Sequence, residues 1–241
     1  GVEPQSETVW RQADLYGVPR ICFVNKMDRV GASYDRTVQM IRDRLGASPL
    51  PIQLPIGEEA EFKGVVDLMA QKSIIWKDDQ GKEPVDGDIP VDLQAQVEAM
   101  RDRMVEQIAE TDDDLTIKYL DGEDITVEEL KLALRRAVIS GQLTPVFCGT
   151  SLRNKGVQPV LDAVVDYLPS PLDIPAVVGR SPNKDEELER PAEDTAPMSA
   201  LVFKIVTDPY VGRLAYLRIY SGRLKKGSSV YNPVKQKKER V

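Results

Sequence analysis

The stretch 21–28 constrains the fold and the chemistry of this chain more than any other. A short apolar, strand-like run over 21–24 ends abruptly in the polar residues Asn25, Lys26, Met27 and Asp28. In open α/β sheets, ligands bind outside the carboxyl ends of the strands. We therefore expect a parallel sheet with a ligand at this junction.

The side chains at this junction suit a guanine base. A carboxylate such as Asp28 accepts two hydrogen bonds from neighbouring N–H groups on one flat edge, a pair that guanine offers and adenine does not. Asn25 can bridge backbone and base, and the stem of Lys26 can lie on the ring while its ammonium reaches water. A hydrogen bond to a charged group contributes about 1.5–3 kcal/mol, so Asp28 alone could decide the choice of base. The alternative is a solvated turn that caps a helix and binds nothing.

Helices and strands alternate around the junction as they do in a doubly wound sheet. Pro4 and Gly17 bound one predicted helix, a strand follows over 18–24, and a second helix runs over 33–45 and ends at Gly46. The predicted buried stripes of the two helices are Val9, Ala13 and Tyr16, and Tyr34, Val38, Ile41 and Leu45.

The alternation stops near Pro49 and resumes near Thr144. Between them we predict an extended stretch over 49–56, strands over 61–68 and 73–77, and a polar loop over 78–90. Helices follow over 91–110 and 115–120, and a third is opened by the capping box of Thr126 and Glu129 and closed by Gly141. The predicted stripe of the long helix is Leu93, Val97, Met100, Met104 and Ile108. We interpret 49–143 as an inserted α+β subdomain.

A second strand-to-loop junction lies about 120 residues after the first. The apolar strand 144–148 breaks at Gly149 and is followed by Thr150, Ser151 and Leu152. Neighbouring parallel strands would bring both junctions to one edge, where backbone N–H groups of the second loop could meet guanine O6. The helix after this loop has the predicted stripe Val157, Leu161, Val164 and Leu168.

The last part of the chain changes character. Residues 173–196 are rich in proline and charge and have the composition of a linker. Strands are predicted over 199–206, 213–220 and 229–231, which are too few to close an antiparallel barrel.

Composition excludes several functions. The net charge of −7 argues against binding DNA through the whole surface, and the absence of histidine removes the commonest general base and zinc ligand. The two cysteines, Cys22 and Cys148, lie in apolar runs and are expected to be reduced and buried. No apolar run approaches the roughly 18–20 residues that span a bilayer, and the first residues do not resemble a signal peptide, so we expect a cytoplasmic protein without a membrane partner.

Several runs of this sequence closely resemble the elongation factor G family of translational GTPases. The resemblance spans essentially the whole chain. The matching runs are GVEPQSETVWRQ at 1–12, FVNKMDR at 23–29, QLPIG at 53–57, NKGVQ at 154–158, DAVVDYLPSP at 162–171, DPYVGR at 208–213 and KKERV at 237–241.

The resemblance implies a domain layout. Residues 1–48 and 144–172 correspond to the second half of a GTP-binding domain, 49–143 to the family's G′ insertion, 173–196 to a linker, and 197–241 to the start of the domain II β-barrel. The implied fold class is α/β. It consists of a partial doubly wound sheet of the P-loop-GTPase type with an inserted α+β subdomain, followed by the beginning of an antiparallel β-barrel.

The resemblance also implies a site. Asn25, Lys26, Met27 and Asp28 match the family's guanine motif, and 150–152 match its second base loop, usually Ser-Ala-Leu, so that the departure to Thr150-Ser151-Leu152 is mild. The ligand implied is GTP or GDP, with Mg²⁺ in the parent protein, whose hydrolysis accompanies tRNA and mRNA translocation on the ribosome.

The family's catalytic segments are not found in this sequence. The Gly-rich phosphate loop, the switch segments that hold Mg²⁺ and the catalytic histidine are all absent from the 241 residues. In the family they precede the segment that matches Gly1, so this chain resembles an internal fragment. We expect it to have no catalytic residue and no metal ligand, and to be inactive in hydrolysis by itself.

Two charged surfaces carry further predictions. Glu98, Asp102, Glu106, Glu110 and Asp113 follow helical spacing opposite the apolar stripe. The ordinary interpretation is a solvated helix face, and the functional one is a docking strip for a basic partner. The resemblance implies that Glu106, Glu110 and Asp113 contact the ribosomal stalk protein.

The second surface is basic. It consists of Lys225, Lys226, Lys235, Lys237, Lys238 and Arg240. Such charges commonly protect strand edges from aggregation, and the resemblance implies contact with small-subunit ribosomal RNA.

Two alternatives to elongation factor G stay open. One is another translational GTPase with an insertion, such as release factor three or a ribosome-protection protein. The other, for the isolated chain, is a non-enzymatic module that binds the ribosomal stalk.

Overall fold

The computed structural model describes residues 1–78, 80–181, 184 and 186–241. The chain forms two compact units, Gly1–Leu168 and Pro169–Val241. The first unit contains the buried core and both predicted base loops.

A three-stranded parallel sheet positions the two junctions. Its strands are β1 (Cys22–Val24), β2 (Pro49–Pro51) and β7 (Thr144–Cys148), in the order β1-β7-β2. Both outer strands pair in parallel with the central β7, which is buried along its whole length. β1 is shorter than the predicted strand 18–24, and β2 lies in this sheet although its residues begin the segment predicted to be inserted.

The two helices near the first junction differ in how well their predicted faces pack. Helix α2 (Tyr34–Leu45) begins at Ser33, whose hydroxyl accepts from the Arg36 N–H, and ends at Gly46 in the left-handed conformation. Its predicted stripe faces the core, with Tyr34 and Ile41 buried. Helix α1 (Pro4–Leu15) has no buried residue, so its predicted stripe does not pack in this structure.

An antiparallel sheet follows the parallel one. It consists of β3 (Gln53–Ile56), β4 (Gly64–Asp67), β5 (Lys72–Trp76) and β6 (Pro84–Gly87), in that order. The predicted polar loop 78–90 was wrong in part, because it contains β6. All four residues of this strand are exposed, and β6 is held by pairing with β5 rather than by an apolar pattern.

Three helices cover these sheets: α3 (Gln94–Ala109), α4 (Asp113–Leu120) and α5 (Val127–Ile139). Val97, Met104 and Ile108 of the predicted stripe are buried in the main core, and Leu93 and Met100 pack against it. The predicted capping box at the start of α5 is present, with the Thr126 hydroxyl and the Glu129 N–H bonded. The Lys118 ammonium, 2.5 Å from Glu129, and the two Thr126 donors lower the pKa of Glu129 to about 2.

The predicted face of the last helix of this unit was wrong in part, although Leu168 at its end packs against the main core. In α6 (Val157–Tyr167) the buried residues are Ala163 and Tyr167, whereas Leu161 and Val164 of the predicted stripe are 62% and 43% exposed. The helix is apolar on more than one face, so spacing alone could not select the face that packs.

In its described residues, the second unit contains three antiparallel strand pairs. They are β8 (Val177–Arg180) with β9 (Glu187–Arg190), β10 (Ser199–Asp208) with β11 (Gly212–Ser221), and β12 (Ser229–Asn232) with β13 (Lys237–Arg240). The first pair lies in the stretch whose composition predicted a linker. Together the two units give the predicted fold class, an α/β GTPase-type sheet followed by antiparallel β-structure.

Among the residues that the structure describes, no helix is both long and apolar enough to cross a bilayer.

Helix α5 offers a matched test of the main core. Leu134 is 0% exposed and Leu132, two residues away, is 58% exposed. We expect Leu134→Ala to lower the free energy of unfolding by about 2–5 kcal/mol, because it leaves a cavity. Leu132→Ala, the control, should change it by about 0.5 kcal/mol or less. Urea unfolding followed by far-UV circular dichroism measures both, and equal losses would contradict this packing.

Candidate functional site

The parallel pairing of β1 with β7 brings the two predicted junctions together. Val24 lies opposite Cys148, so both strands end at the same level of the sheet. The Gly149 N–H donates to the Val24 carbonyl at 3.0 Å, and the Met27 N–H donates to the Gly149 carbonyl at 3.0 Å. The two loops that follow these strands are therefore hydrogen-bonded to each other.

The side chain of Asn25 joins these loops. Its Oδ1 accepts from the Lys26 N–H at 2.7 Å and from the Ser151 N–H at 3.0 Å, and its Nδ2 donates to the Ser151 Oγ at 2.9 Å. One carboxamide thus sets the position of the second loop relative to the first.

The three residues after Asn25 have different surroundings. Lys26 is exposed and has the left-handed φ of 63°, which an L side chain adopts at a cost. The side chain of Met27 is buried in the core, so this residue meets the site only through its backbone. Asp28 lies at the rim of the loop, with a side chain that is 13% exposed.

Asp28 has a cationic neighbour that the sequence did not indicate. The Arg153 Nε lies 3.4 Å from the Asp28 Oδ2, and the arginine side chain is 54% exposed. Arg153 ends the 3-10 turn Ser151–Arg153 of the second loop. The acceptor predicted to read the base is therefore placed by both loops.

The second loop is tightly folded on itself. Thr150 and Lys155 are buried and exchange backbone hydrogen bonds of 2.9 and 3.1 Å. A Cβ on Gly149 would lie 2.3 Å from the Lys155 carbonyl oxygen, and one on Gly156 would lie 2.5 Å from that of Cys148. Ser151 and Leu152 project from this base and are exposed. The loop thus presents 151–152 to solvent, and the following residue, Arg153, lies beside Asp28.

The groups beneath the loops are apolar or neutral. Burial raises the pKa of the Cys22 thiol to about 11 despite the nearby Arg20, and it also raises the pKa of Cys148 and Tyr34. The Tyr34 hydroxyl donates to the Val146 carbonyl at 3.0 Å. Neither cysteine is therefore a thiolate nucleophile near neutral pH.

Two further contacts with the loops come from 57–83, which sequence reasoning did not connect with the site. The Glu59 N–H donates to the Met27 carbonyl at 2.9 Å, and the Gly81 carbonyl accepts from the Asn154 Nδ2 at 2.9 Å. Both contacts join residues far apart in sequence, and neither has a local motif that could have revealed it.

The predicted acidic contact residues lie elsewhere on this unit. Glu106 and Glu110 are exposed at the carboxyl end of α3, and Asp113 is exposed in the first turn of α4. These three residues therefore share one exposed helix corner, separate from the loops at the sheet edge.

Three kinds of group lie at the sheet edge. Asp28 supplies a carboxylate acceptor, Lys26 an exposed aliphatic stem with a cation, and 151–152 an exposed turn of backbone. This combination of a carboxylate acceptor, an aliphatic side chain and an exposed turn can recognise a planar base. The residues described here contribute no phosphate-binding loop.

Two family models match this chain. Residues 1–170 match the model of the elongation factor Tu GTP binding domain, and 197–241 match the model of elongation factor G domain 2. A crystal structure of a protein from Thermus thermophilus is 32% identical, with a TM-score of 0.78 over 100% of this chain and 33% of that one. The chain therefore spans about a third of the length of that protein. It belongs to the family of translational GTPases that carry the elongation factor Tu GTP-binding domain.

Proposed function

We propose that this chain is the guanine-recognition portion of an elongation factor G. In such a protein GTP binding and hydrolysis drive tRNA and mRNA movement on the ribosome. The observation that carries the proposal is the joining of the two base loops by Asn25 and Ser151 at the carboxyl ends of β1 and β7. The match of 197–241 to elongation factor G domain 2 favours this factor over release factor three or a ribosome-protection protein.

In the proposed complex each loop residue has a separate task. Asp28 would accept the two N–H groups on one edge of guanine, and the Leu152 N–H would donate to O6. Lys26 would cover one face of the ring with its stem. Asn25 would hold the second loop in register, and Met27 would anchor the first loop in the core. Thr150 and Ser151 would shape the turn that carries Leu152.

The phosphates and Mg²⁺ would be held by segments whose motifs this sequence does not contain. When bound, Mg²⁺ supplies charge neutralisation for phosphoryl transfer. Base contacts alone should give a Kd in the millimolar range, about −4 kcal/mol. Recognition by this chain is therefore expected to be weak but selective.

Base selectivity tests the role of Asp28. We expect Asp28→Asn to weaken GDP binding roughly ten- to hundredfold, because each lost charged hydrogen bond costs about 1.5–3 kcal/mol. The same change should favour xanthosine diphosphate, whose edge offers an acceptor where guanine offers a donor. NMR titration of the loop amides with both nucleotides measures the preference. Asp162→Asn, at an exposed position on α6, is the control. An unchanged preference for GDP would refute the guanine assignment.

Hydrolysis by the chain alone is the second test. We expect no GTP turnover above the uncatalysed rate, with or without ribosomes, because the sequence has neither a phosphate loop nor a histidine. Phosphate release measured with purified chain and ribosomes checks this expectation. Ribosome-stimulated turnover would contradict it.

A second surface of the proposed factor is the corner formed by Glu106, Glu110 and Asp113. Their exposure and common charge support docking of a basic partner, which we propose is the ribosomal stalk protein. The exposed basic residues at 225–240 are proposed to approach small-subunit RNA. Both proposed contacts would bring the protein to the ribosome and hence to the cytoplasm.

Charge reversal tests the stalk contact. Changing Glu106, Glu110 and Asp113 to Lys should weaken binding of the stalk protein on the order of tenfold, since exposed ion pairs contribute about 0.2–1 kcal/mol each. The effect should shrink at high salt. Calorimetry measures it, with Lys at Asp88, Asp92 and Glu123 as the control, three exposed acids elsewhere on the same unit. Equal affinities for the two variants would favour a solvated helix face.

If the chain binds the stalk protein but no guanine nucleotide, the alternative of a non-enzymatic stalk-binding module is favoured. Calorimetry with both ligands therefore separates the two candidate functions.

A further inference from the structure

The segment 57–83, which lies between β3 and β6, contacts both base loops. Its first contact is with the loop after β1. The Glu59 N–H donates to the Met27 carbonyl at 2.9 Å, and the Glu59 Oε1 accepts from the Gly31 N–H at 2.6 Å. The Glu58 Oε1 accepts from the Tyr34 N–H at 3.3 Å. Two adjacent glutamates therefore hold the chain from Met27 to the start of α2.

This first contact is made by a constrained turn. Gly57 has φ of 77°, and a Cβ there would lie 2.1 Å from the Glu61 carbonyl oxygen. Glu59 itself has φ of 53°, which is unfavourable for a residue with a side chain. The hydrogen bonds to Met27 and Gly31 offset that cost.

The second contact comes from the turn between β5 and β6. The Asp78 carboxylate accepts from the N–H groups of Gln80, Lys82 and Glu83, at 2.9 to 3.4 Å, and so fixes the turn. The Gly81 carbonyl accepts from the Asn154 Nδ2 at 2.9 Å and from the Gln158 Nε2 at 2.8 Å.

The turn approaches the second base loop so closely that only glycine fits. Gly81 has φ of 59°, and a Cβ there would lie 2.3 Å from the Arg153 carbonyl oxygen and 2.6 Å from the Asn154 carbonyl. Arg153 is the residue whose Nε lies 3.4 Å from Asp28. Arg153 therefore lies between Gly81 and Asp28, with its carbonyl beside the first residue and its Nε beside the second.

We propose that the turn formed by Asp78 and 80–83 positions the second base loop and thereby tunes the affinity of Asp28 for guanine. Asp78 and Gly81 are positioning residues, since they act through Arg153 and Asn154 and do not touch the base. Glu58 and Glu59, in the same segment, hold the first loop through their hydrogen bonds to it and to the start of α2. The inference rests on the proposed guanine site, and it adds that part of the site's geometry is set from outside the two loops.

Two variants of the full chain test this inference. Gly81→Ala pushes on the Arg153 carbonyl, and Asp78→Ala releases the turn without adding an atom. Each should speed hydrogen exchange of the Thr150 and Lys155 amides, shift the Arg153 ¹⁵Nε signal, and raise the Kd for GDP roughly fivefold or more. Hydrogen exchange and the Arg153 ¹⁵Nε signal are measured without nucleotide. If Gly81→Ala does not fold, Asp78→Ala tests the proposal by itself.

Matched controls separate these effects from general destabilisation. Gly122→Ala places a side chain at a similar positive φ, 72°, where nothing lies within 4 Å. Asp208→Ala removes a carboxylate that fixes a turn in the second unit by accepting from the Tyr210 and Val211 N–H groups. Neither control should alter the three readouts.

The Asp28→Asn variant distinguishes the two proposals. If it leaves GDP binding unchanged, the guanine site itself is refuted. If it weakens GDP binding but the Gly81 and Asp78 variants match their controls in exchange or in Kd, the positioning role is refuted. Faster exchange together with weaker GDP binding in each variant that folds supports it.

Discussion

The carboxamide of Asn25 is the interaction on which the site depends. A carboxamide carries an acceptor and two donors on one rigid plane, and here it accepts from the N–H groups of Lys26 and Ser151 and donates to the Ser151 hydroxyl. These bonds join loops that are 126 residues apart in sequence. Without them the loops would keep the backbone bonds through Gly149 and the contact of Arg153 with Asp28, but Ser151 would lose its hydrogen bonds to the first loop.

The sheet makes that bridge possible. Parallel register places Val24 beside Cys148, and Gly149 lets the second loop fold back against Phe23 and Lys155, because a Cβ there would meet both. The buried Met27 anchors the first loop from below. The exposed, polar rim of the site therefore rests on an apolar base at the carboxyl ends of parallel strands, where ligands bind in open α/β sheets.

Sequence patterns predicted which segments form helices and strands more reliably than they predicted which face of a helix packs into the core. The helices α2, α3 and α5 have caps or stripes that local chemistry specifies, such as Ser33 and the Thr126–Glu129 box. The stripe of α6 was predicted wrongly in part because the helix is apolar on several sides, and tertiary packing buried Ala163 and Tyr167 instead of Leu161 and Val164. The strand β6 was missed for a related reason. Its side chains are exposed, and its pairing with β5 is made by the backbone, which has no sequence pattern of its own.

The sequence alone determined the fold class, the two strand-to-loop junctions and the residue types that suit a planar base, because these depend on local order and on the side chains themselves. Only the tertiary structure decided which groups meet. It placed Arg153 beside Asp28, buried Met27, and brought Glu59 and Gly81 against the base loops. Such contacts join residues far apart in the chain, and their geometry arises from strand pairing and close packing, which no local motif encodes.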